Sequence, residues 1–564
     1  MYLKTFRIKN FRGIKETTLK FSPGINILIG ENNAGKTSVL DALRICLGFK
    51  DYNALRVKKK DFNIFNPSED IEFDLSFSII NDYERACFIE LYNANTDTLD
   101  IHFRFNLNNK SPIEKISSNI WGGENEGQNI PNEIFQLFIN VYLSALRDAK
   151  KYLSPGRYNI LGQFLDEIDE KKFSDEYDKD EMVEDLNNKI QSSPFLDFVG
   201  DVTEEYINKH LTKLTFDENN LNVDISYLSK DFKELGKNLK FAIPLINNRS
   251  STLDLNQNGL GYNNILYISI LLSRLYILKE QQDSLFLSLI IEEPEAHLQP
   301  QLQNLFFSYL NTINEDLNKN ESFQIFISSH SPTLTAKANL NSINILQKFD
   351  DNCLNASLCD IIKEKENRDY FHKFLDVTKS QLLFSKRIIF VEGISEALLI
   401  PVFANKLGYD LDKKGIEIVI VQGLSFKHFV PLFDNLGSLF FKGVILTDND
   451  KKSEDGEESE TFEKIKSYEI ENVLEVYNAE KTFEYELLIC NDDDSIIFKT
   501  FKDFHPKIFK DVSSSEKQEL FKIFHEKKIR KADIALELSR KLKIDSDYNI
   551  PSYIEEALKF ICGD

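Results

Sequence analysis

The sequence predicts an α/β protein built on parallel sheets, and three apolar stretches carry this prediction. Residues 24–29, 285–291 and 388–391 are almost continuously apolar, as strands buried on both faces of a sheet must be. Each is followed by residues that suit the carboxyl edge of a sheet: a glycine-rich turn, a pair of acids, and an acid before a helical pattern. A chain of 564 residues exceeds the size of a single core, so we expect about two to four domains.

Composition and charge narrow the function classes. The formal net charge of −22 opposes general binding of a polyanion, although Lys58–Lys60 and Lys527–Lys531 are local basic patches. The six cysteines form no Cys-x-x-Cys pair, which argues against a zinc ribbon and indicates reduced thiols in a cytoplasmic protein. No apolar run approaches the roughly 20 residues that span a bilayer, so we expect no membrane partner.

A phosphate-binding loop follows the first of these strands. Residues 30–37 fit the pattern G-x-x-x-x-G-K-[ST] at every position, and residues 38–47 continue as an amphipathic helix. The glycines let backbone N–H groups wrap phosphates, and a helix N-terminus favours the anion. We expect Lys36 to meet the β- and γ-phosphates of ATP and the Thr37 hydroxyl to ligate Mg²⁺. The expected nucleotide-binding residues of the loop are Gly30, Glu31, Asn32, Asn33, Ala34, Gly35, Lys36, Thr37 and Ser38.

The second buried strand supplies the acids that nucleotide hydrolysis needs. It ends in Glu292, which is expected to hold Mg²⁺ through water, and Glu293, which is expected to orient the attacking water. Residues 324–329 form another apolar strand, and it ends at His330, a candidate sensor of the γ-phosphate. A helical pattern over 264–279 is preceded by a glycine segment that is a further candidate for phosphate binding: Asn258, Gly259 and Gly261.

The third buried strand ends in a carboxylate, Glu392, at the edge where open α/β sheets bind ligands. Glu396 lies one helical turn later on the same face. A further apolar strand ends in Asp448-Asn-Asp450, and strand alternation places both of its aspartates on one side. Acids gathered at adjacent strand ends repel one another unless cations occupy the site. We therefore predict a divalent-metal site, for Mg²⁺ or Mn²⁺, suited to phosphate-ester chemistry.

These motifs and their order resemble two known classes of domain. The phosphate loop, the glycine segment, the acidic strand end and His330 occur in the order found in ABC-type ATPases of the SMC and RecF type. Residues 391–393 together with 448–450 resemble a Toprim domain. An ATPase followed by a Toprim domain resembles the OLD (overcoming lysogenisation defect) family of nucleases, and Arg147-Asp148 and Lys481–Glu484 add to the likeness.

The resemblance implies partners and ligands. It implies two nucleotides held in a head-to-tail homodimer or a higher even-numbered oligomer, in which the glycine segment completes the site of the opposite subunit. It implies DNA as the partner of the Toprim domain, and a basic residue that stabilises the transition state. Lys528 is the best match for that residue, with Lys531 and Arg530 as alternatives. The metal ligands that it implies are Glu392, Glu396, Asp448, Asp450 and Glu484.

The expected architecture is an ABC-type (SMC/RecF-like) P-loop ATPase domain with a helical insertion, followed by a Toprim α/β domain with a helical C-terminal region. The expected boundaries are 1–149 and 231–348 for the ATPase domain, 150–230 for the insertion (a candidate for self-association), 349–384 for a linker and 385–564 for the Toprim domain.

We therefore expect an ATP-regulated, divalent-metal-dependent DNA endonuclease of anti-phage defence. The alternatives are a RecF/SMC-type repair ATPase whose Toprim domain binds nucleic acid without cutting it, and a nucleotide-switched scaffold subunit. The sequence leaves open whether the chain acts alone, with a helicase-like partner or with a retron.

Overall fold

The chain forms two compact units, Met1–Leu358 and Cys359–Asp564. The structure is a computed structural model. It describes residues 1–49, 55–93, 95–108, 115–127, 130–144, 149–156, 159–161, 164, 194–214, 222–226, 239–245, 248–255, 257–281, 285–296, 298–318, 322–349, 352–375, 379–421, 423, 425–433, 442–449, 459–510, 512–544 and 547–563.

The described residues of the first unit form three sheets. Its strands are β1 (Tyr2–Phe11), β2 (Ile14–Lys20), β3 (Gly24–Gly30), β4 (Ile71–Ser78), β5 (Tyr92–Asn93), β6 (Thr98–Asn108), β7 (Lys115–Gly122), β8 (Phe138–Leu143), β9 (Asp224–Ser226), β10 (Lys240–Leu245), β11 (Asn248–Asp254), β12 (Phe286–Glu292), β13 (Phe323–Ser329), β14 (Ile343–Phe349) and β15 (Asn352–Ser357).

A largely parallel sheet with the order β15-β14-β3-β13-β12-β8 carries the predicted motifs. Its central strands β3 and β13 are buried along their whole length, which explains why their sequences lack the alternation of a half-exposed strand. β3 pairs in parallel with β13, and β13 pairs in parallel with β12, so all three end at the same edge. The phosphate loop, the acids after β12 and His330 therefore meet at one end of the sheet.

An antiparallel sheet, β2-β1-β4-β6-β5 with β7 paired to β6, covers the same core. Alternate residues of β4 are buried, as expected for a sheet with one face on the core. Aromatic side chains such as Phe6, Phe73 and Phe326 fill the space between the sheets and the first helix. β2 was absent from the sequence-based expectation, because its polar residues hide the alternation. A small sheet, β11-β10-β9, completes this unit.

The helices of the first unit follow the strands in sequence. They are α1 (Lys36–Leu47), α2 (Asp82–Cys87), α3 (Asn132–Gln136), α4 (Ala149–Leu153), α5 (Pro194–Val202), α6 (Lys209–Leu211), α7 (Leu260–Gln281), α8 (Pro300–Leu317) and α9 (Pro332–Lys337), with a π-helical stretch at Thr203–Asn208. The predicted helix at 264–279 lies within α7. Most of the predicted insertion, 150–230, lies outside the described residues, and its described part from Pro194 to Leu211 is helical.

The second unit is organised on a four-stranded parallel sheet with the order β17-β16-β18-β19. The strands are β16 (Arg387–Val391), β17 (Ile416–Ile420), β18 (Lys442–Asp448) and β19 (Leu474–Ala479). The helices are α10 (Leu358–Ile361, which starts at the unit boundary), α11 (Lys365–Phe374), α12 (Ile394–Lys406), α13 (Glu460–Lys466), α14 (Phe483–Ile489), α15 (Ile496–Phe504), α16 (Lys517–Glu526), α17 (Lys531–Lys541) and α18 (Ser552–Cys562). Helices α12, α14, α17 and α18 share one apolar core with β16 and β18.

The boundary predicted at residue 348 falls short of the observed one. β15 pairs antiparallel with β14 and is the edge strand of the ATPase sheet, so the first unit reaches Leu358. β15 is short and polar at about half of its positions, and an edge strand can satisfy its backbone without a continuous apolar run. Residues assigned to a linker therefore belong in part to the sheet. None of the helices in the described part of the chain has the length and apolar character needed to cross a membrane.

Candidate functional site

The phosphate loop has the backbone that its glycines predict. Gly35 caps α1 in a left-handed conformation with φ 98°, and Gly30 has φ 146°. A Cβ atom at Gly30 would lie 2.0 Å from the carbonyl oxygen of Leu346, so any side chain there would displace β14. Asn33 also has a positive φ, 63°, which asparagine tolerates better than most residues. The loop thus has glycine or asparagine at the three positions where its backbone adopts a positive φ.

Lys36 lies inside this loop. Its Nζ donates to the carbonyl oxygens of Gly30 at 2.9 Å and Glu31 at 2.7 Å, and the residue is 5% exposed. Burial lowers the pKa of Lys36 to about 8, against an opposing influence from nearby acids, first Glu293. The ammonium group is thus poorly solvated and held by two neutral oxygens, and an anion in the loop would stabilise its charge.

Glu292, the last residue of β12, is fixed by two hydroxyl groups. Thr37 donates to its Oε1 at 2.5 Å, and Tyr142 on β8 donates to its Oε2 at 2.8 Å. The two residues predicted to act on Mg²⁺, Thr37 and Glu292, are therefore in direct contact. Tyr142 was not predicted, because its position depends on the parallel pairing of β8 with β12.

Glu293 and His330 face each other across the ends of β12 and β13. The Oε1 of Glu293 lies 3.4 Å from the Nε2 of His330, and burial lowers the pKa of His330. Glu293 has a left-handed backbone with φ 44°, and its N–H donates to the carbonyl of Ser328 at 3.0 Å. An acid in this uncommon conformation is held by the surrounding structure rather than by its own preference.

Glu295 is a residue of this site that sequence reasoning missed. Its Oε1 accepts the N–H of His330 at 2.5 Å and the hydroxyl of Ser329 at 3.1 Å. Burial raises the pKa of Glu295, with the hydrogen bonds from His330, its own N–H and Ser329 opposing the shift. The carboxylate therefore anchors the backbone on which His330 stands. The available signal was an acid two residues after Glu293, just beyond a proline.

A cavity of about 620 Å³ opens at this edge of the sheet. It is lined by the loop residues Asn32, Asn33, Gly35, Lys36, Thr37 and Ser38, by Glu293 and His330, and by Gly13, Lys348, Asn352 and Cys353, which were not predicted. The thiol of Cys353 donates to the carbonyl oxygen of Ala34 at 2.7 Å, so β15 supports the loop from below.

The glycine segment before α7 is not among the residues that line this cavity. Asn258 and Gly259 directly precede α7, and Gly261 lies in its first turn. Their predicted role concerns a second copy of the chain, and it stays a prediction.

In the second unit, the predicted acids meet at the carboxyl edge of the sheet. Glu392 follows β16, Asp448 ends the adjacent β18, and the two strands are parallel. The Oε1 of Glu392 accepts the N–H of Asp448 at 2.9 Å and the hydroxyl of Thr447. The Oδ1 of Asp448 accepts the N–H of Phe483 at 2.9 Å, which ties the acid to the first turn of α14. Thr447 was not predicted.

Burial and mutual repulsion perturb these acids. Burial raises the pKa of Asp448 well above its usual range, and Glu392 and Glu484 raise it further. Burial also raises the pKa of Glu396 to about 7, with Glu484 and Glu392 adding to the shift. The charges of Glu392 and Glu484 thus act on both Asp448 and Glu396. We refer to Glu392, Glu396, Asp448 and Glu484 together as the acidic cluster.

A basic residue, Lys531 at the start of α17, contacts the acidic cluster. Its Nζ lies 2.7 Å from the Oε2 of Glu484. Burial would lower the pKa of Lys531, but the ion pair with Glu484 and the charges of Asp448 and Glu396 raise it. Lys528 is exposed in the segment before α17. This contact favours Lys531, the alternative, over Lys528, the first choice from the sequence.

The donor set of the acidic cluster fits hard divalent cations. All of its donors are carboxylate oxygens, which Mg²⁺ and Mn²⁺ prefer. Several like charges are buried together, which is costly without counter-charge, and Lys531 contributes a single positive charge. Within the described ranges no three His, Cys, Asp or Glu side chains already surround one metal position. One carboxylate oxygen of Glu392 accepts hydrogen bonds from Thr447 and the Asp448 N–H, and one of Glu484 pairs with Lys531. Asp450 lies outside the described residues, as do Arg147 and Asp148.

Comparisons with known proteins divide the chain in the same way. Residues 1–335 match the family described as AAA ATPase domain. Residues 383–450 match the family described as overcoming lysogenization defect protein-like, TOPRIM domain. These matches confirm the predicted fold class, an ATPase domain followed by a Toprim domain.

Several characterised proteins are similar over most of the chain. Endonuclease GajA of Bacillus cereus is 23% identical, over 100% of this chain and 99% of the relative. OLD nuclease of Thermus scotoductus is 24% identical, over 75% of this chain and 77% of the relative. A solved SMC head bound to a domain of ScpA is 15% identical with a TM-score of 0.41, over 64% of this chain and 100% of that one.

The matched domains and their order identify the family predicted from the motifs. The chain belongs to the AAA ATPase domain family, carries an OLD-like Toprim domain, and is homologous over most of its length to the GajA endonucleases and the Thermus OLD nuclease.

Proposed function

We propose that the chain is an ATP-binding, divalent-metal-dependent DNA endonuclease that acts in anti-phage defence. One observation carries the proposal: four predicted acids converge with Lys531 at the carboxyl edge of the second sheet. The names of the relatives, an endonuclease and an OLD nuclease, support the same reaction class. Burial and neighbouring carboxylates raise the pKa values of Asp448 and Glu396, and perturbed acids of this kind are typical of functional sites.

Glu392, Glu396, Asp448 and Glu484 would hold the cations, with Asp450 as a further ligand. Divalent cations at such a site polarise a phosphate ester and lower the pKa of bound water. The chain's own contribution is to keep these carboxylates oriented. Thr447 and the Asp448 N–H fix Glu392, and the Phe483 N–H fixes Asp448. Lys531 would place a positive charge beside the scissile phosphate, where negative charge builds in the transition state.

The first unit would bind ATP and regulate cutting. Lys36 would exchange the two carbonyl oxygens that it contacts for phosphate oxygens, and Thr37 with Glu292 would hold Mg²⁺. Glu293 would orient the attacking water, and His330, held by Glu295, would contact the γ-phosphate. In a head-to-tail dimer, Asn258, Gly259 and Gly261 would complete the site of the opposite subunit.

Replacing Glu293 by glutamine is expected to slow ATP turnover about 10²- to 10³-fold while ATP binding is retained, because glutamine keeps the shape but cannot act as a base. Phosphate release and binding of a fluorescent ATP analogue measure the two effects. Glu315→Gln, an acid on α8 outside the cavity, is the control. Unchanged turnover in Glu293→Gln would assign the water-orienting role to another residue.

Cleavage of supercoiled plasmid by the purified full chain tests the proposal. The protein is incubated with Mg²⁺, Mn²⁺ or EDTA, each with and without ATP. Nicked or linear product that requires a divalent ion supports the nuclease, and the ATP arms give the direction of regulation. Metal-independent binding without any product would instead support the repair-ATPase alternative.

A further inference from the structure

A short segment of the first unit combines exposed lysines with exposed apolar side chains. This segment, Lys58–Asn66, is named the basic tip. Lys58, Lys59 and Lys60 are all exposed. Ile64 and Phe65 are 84% and 56% exposed, among the most exposed large apolar residues of the described chain. These two side chains gain little from burial in the fold, and they lie close in sequence to three lysines.

The basic tip is anchored firmly to the turn between β1 and β2. Arg12 donates from Nε to Asp61 Oδ1 at 2.9 Å and from its backbone N–H to the Asp61 carbonyl at 2.7 Å. Asn10 donates through Nδ2 to the carbonyls of Asn66 at 3.1 Å and Glu69 at 2.6 Å. Both anchors have a left-handed backbone, with φ of 58° at Asn10 and 51° at Arg12. These contacts hold the backbone of the basic tip in place on the first unit.

The anchoring also sets the charge of the basic tip. Asp61 is its one acid in the sequence and is 4% exposed. The Oδ1 of Asp61 accepts from Arg12, and its Oδ2 accepts the N–H of Lys58 at 2.8 Å. The negative charge is therefore turned inward and neutralised, while the lysines face solvent. Lys15 on β2 adds a cation, with its Nζ 5.8 Å from the centre of the Phe65 ring.

A positive, partly aromatic surface stands out on a chain with a net charge of −22. Clustered lysines neutralise phosphates, and an exposed aromatic ring stacks on an unpaired base. The apolar part consists of two adjacent side chains rather than the long amphipathic face that membrane-surface helices use. Charge and chemistry thus fit a polynucleotide better than a lipid surface.

We propose that the basic tip is a DNA-binding surface of the ATPase unit, in which Lys58, Lys59 and Lys60 contact backbone phosphates and Phe65 with Ile64 packs on bases at an unpaired end. The choice of DNA over other polynucleotides rests on the proposed nuclease function. The basic tip belongs to the first unit and the acidic cluster to the second. Substitutions in the tip therefore leave the acidic cluster unchanged, and DNA binding can be measured without divalent metal, so that no cleavage occurs.

The test is the affinity of the full chain for a fluorescent DNA duplex with a single-stranded overhang, measured by anisotropy in EDTA. The variant Lys58→Gln/Lys59→Gln/Lys60→Gln is compared with Lys4→Gln/Lys209→Gln/Lys213→Gln, which removes the same charge from exposed lysines of the same unit. The tip variant is expected to bind about tenfold or more weakly, with a slope of log K against log salt smaller by about 2 to 3. The control triple should stay near wild type.

A second variant, Ile64→Ser/Phe65→Ser, separates stacking from charge. It should weaken binding to the overhang duplex by about tenfold while a blunt duplex and the salt slope are little changed. Equal affinities for the tip and control triples would overturn the proposal. So would loss of binding to anionic phospholipid vesicles by the tip variants with DNA affinity retained, since that result would make the tip a membrane contact.

Failure of this proposal can be told from failure of the nuclease proposal. Plasmid cleavage with no effect of the tip variants on DNA affinity would reject the tip and leave the nuclease intact. DNA binding that depends on the tip, with no cleavage under any metal condition, would support the tip and reject the nuclease. ATP-analogue binding by each variant confirms that the first unit is folded.

Discussion

Replacing Asp448 by asparagine is expected to reduce plasmid nicking by about 10³-fold or more, because a divalent cation contributes several kcal/mol to phosphodiester cleavage. Asp448 is the acid whose pKa burial, Glu392 and Glu484 together raise well above its usual range, so we expect it to be central to the metal site. ATP-analogue binding should be unchanged, since the nucleotide cavity is built from residues of the first unit alone. The measurement is the initial rate of nicking in Mg²⁺ and in Mn²⁺.

The same substitution should leave the fold intact or stabilise it. Asparagine can still accept the N–H of Phe483 through its Oδ1, so the contact with α14 is retained. Removing the charge relieves repulsion from Glu392 and Glu484 in a buried setting. A melting temperature equal to or above wild type, together with lost activity, is therefore the expected signature in the absence of metal.

Glu417→Gln is the matched control. Glu417 is a half-buried acid on the neighbouring strand β17, and burial raises its pKa as well, but Asp412 rather than the acidic cluster is the charge that acts on it. Nicking by this variant should stay near wild type. If Asp448→Asn nicks as fast as Glu417→Gln, the acidic cluster is not the cleavage site.

Replacing Lys36 by alanine is expected to weaken ATP binding about 10²-fold or more. Charge-assisted hydrogen bonds contribute about 1.5 to 3 kcal/mol each, and the Lys36 ammonium is positioned in the loop to make two. Titration with a fluorescent ATP analogue measures the change.

Lys337→Ala is the control for Lys36→Ala, because Lys337 is an exposed lysine at the end of α9. It should bind the analogue as wild type does. Affinity of Lys36→Ala close to that of Lys337→Ala would show that the cavity is not the nucleotide site. Metal-dependent nicking by Lys36→Ala in the absence of ATP then reports how far the Toprim unit works alone.

The parts of the site that could be predicted are those fixed by local sequence. The phosphate loop needs Gly30 and Gly35 at set positions because the backbone there adopts positive φ and passes close to β14. Glu392 and Asp448 could be placed together because parallel strands end at one edge of a sheet. The first inference follows from backbone rules for a short motif, and the second from a general rule for parallel sheets.

The parts that could not be predicted depend on contacts between distant segments. Thr447 reaches Glu392 only because β18 lies beside β16, and Glu295 reaches His330 only because β12 lies beside β13. Strand order could be expected from the motifs, but these individual hydrogen bonds could not be read from the spacing of the residues. Lys528 and Lys531 are three residues apart in the sequence. The position of α17 against α14 brings Lys531 into contact with Glu484, and the sequence alone carries no sign of this contact.

β15 illustrates a different limit. Its six residues include three asparagine or serine side chains and show no continuous apolar run, and its structure comes from pairing with β14. The consequence is functional, because Asn352 and Cys353 on this strand line the nucleotide cavity. A boundary drawn on hydrophobic pattern alone therefore removed two residues from the site.

The most direct test of the central claim is metal binding by the acidic cluster itself. Free Mn²⁺ is measured by electron paramagnetic resonance while the full chain is titrated in the absence of nucleotide and DNA. Wild type and Glu417→Gln should bind about two ions per chain, and Asp448→Asn should lose most of this binding. Equal Mn²⁺ binding by Asp448→Asn and wild type would contradict the claim that these carboxylates form the metal site.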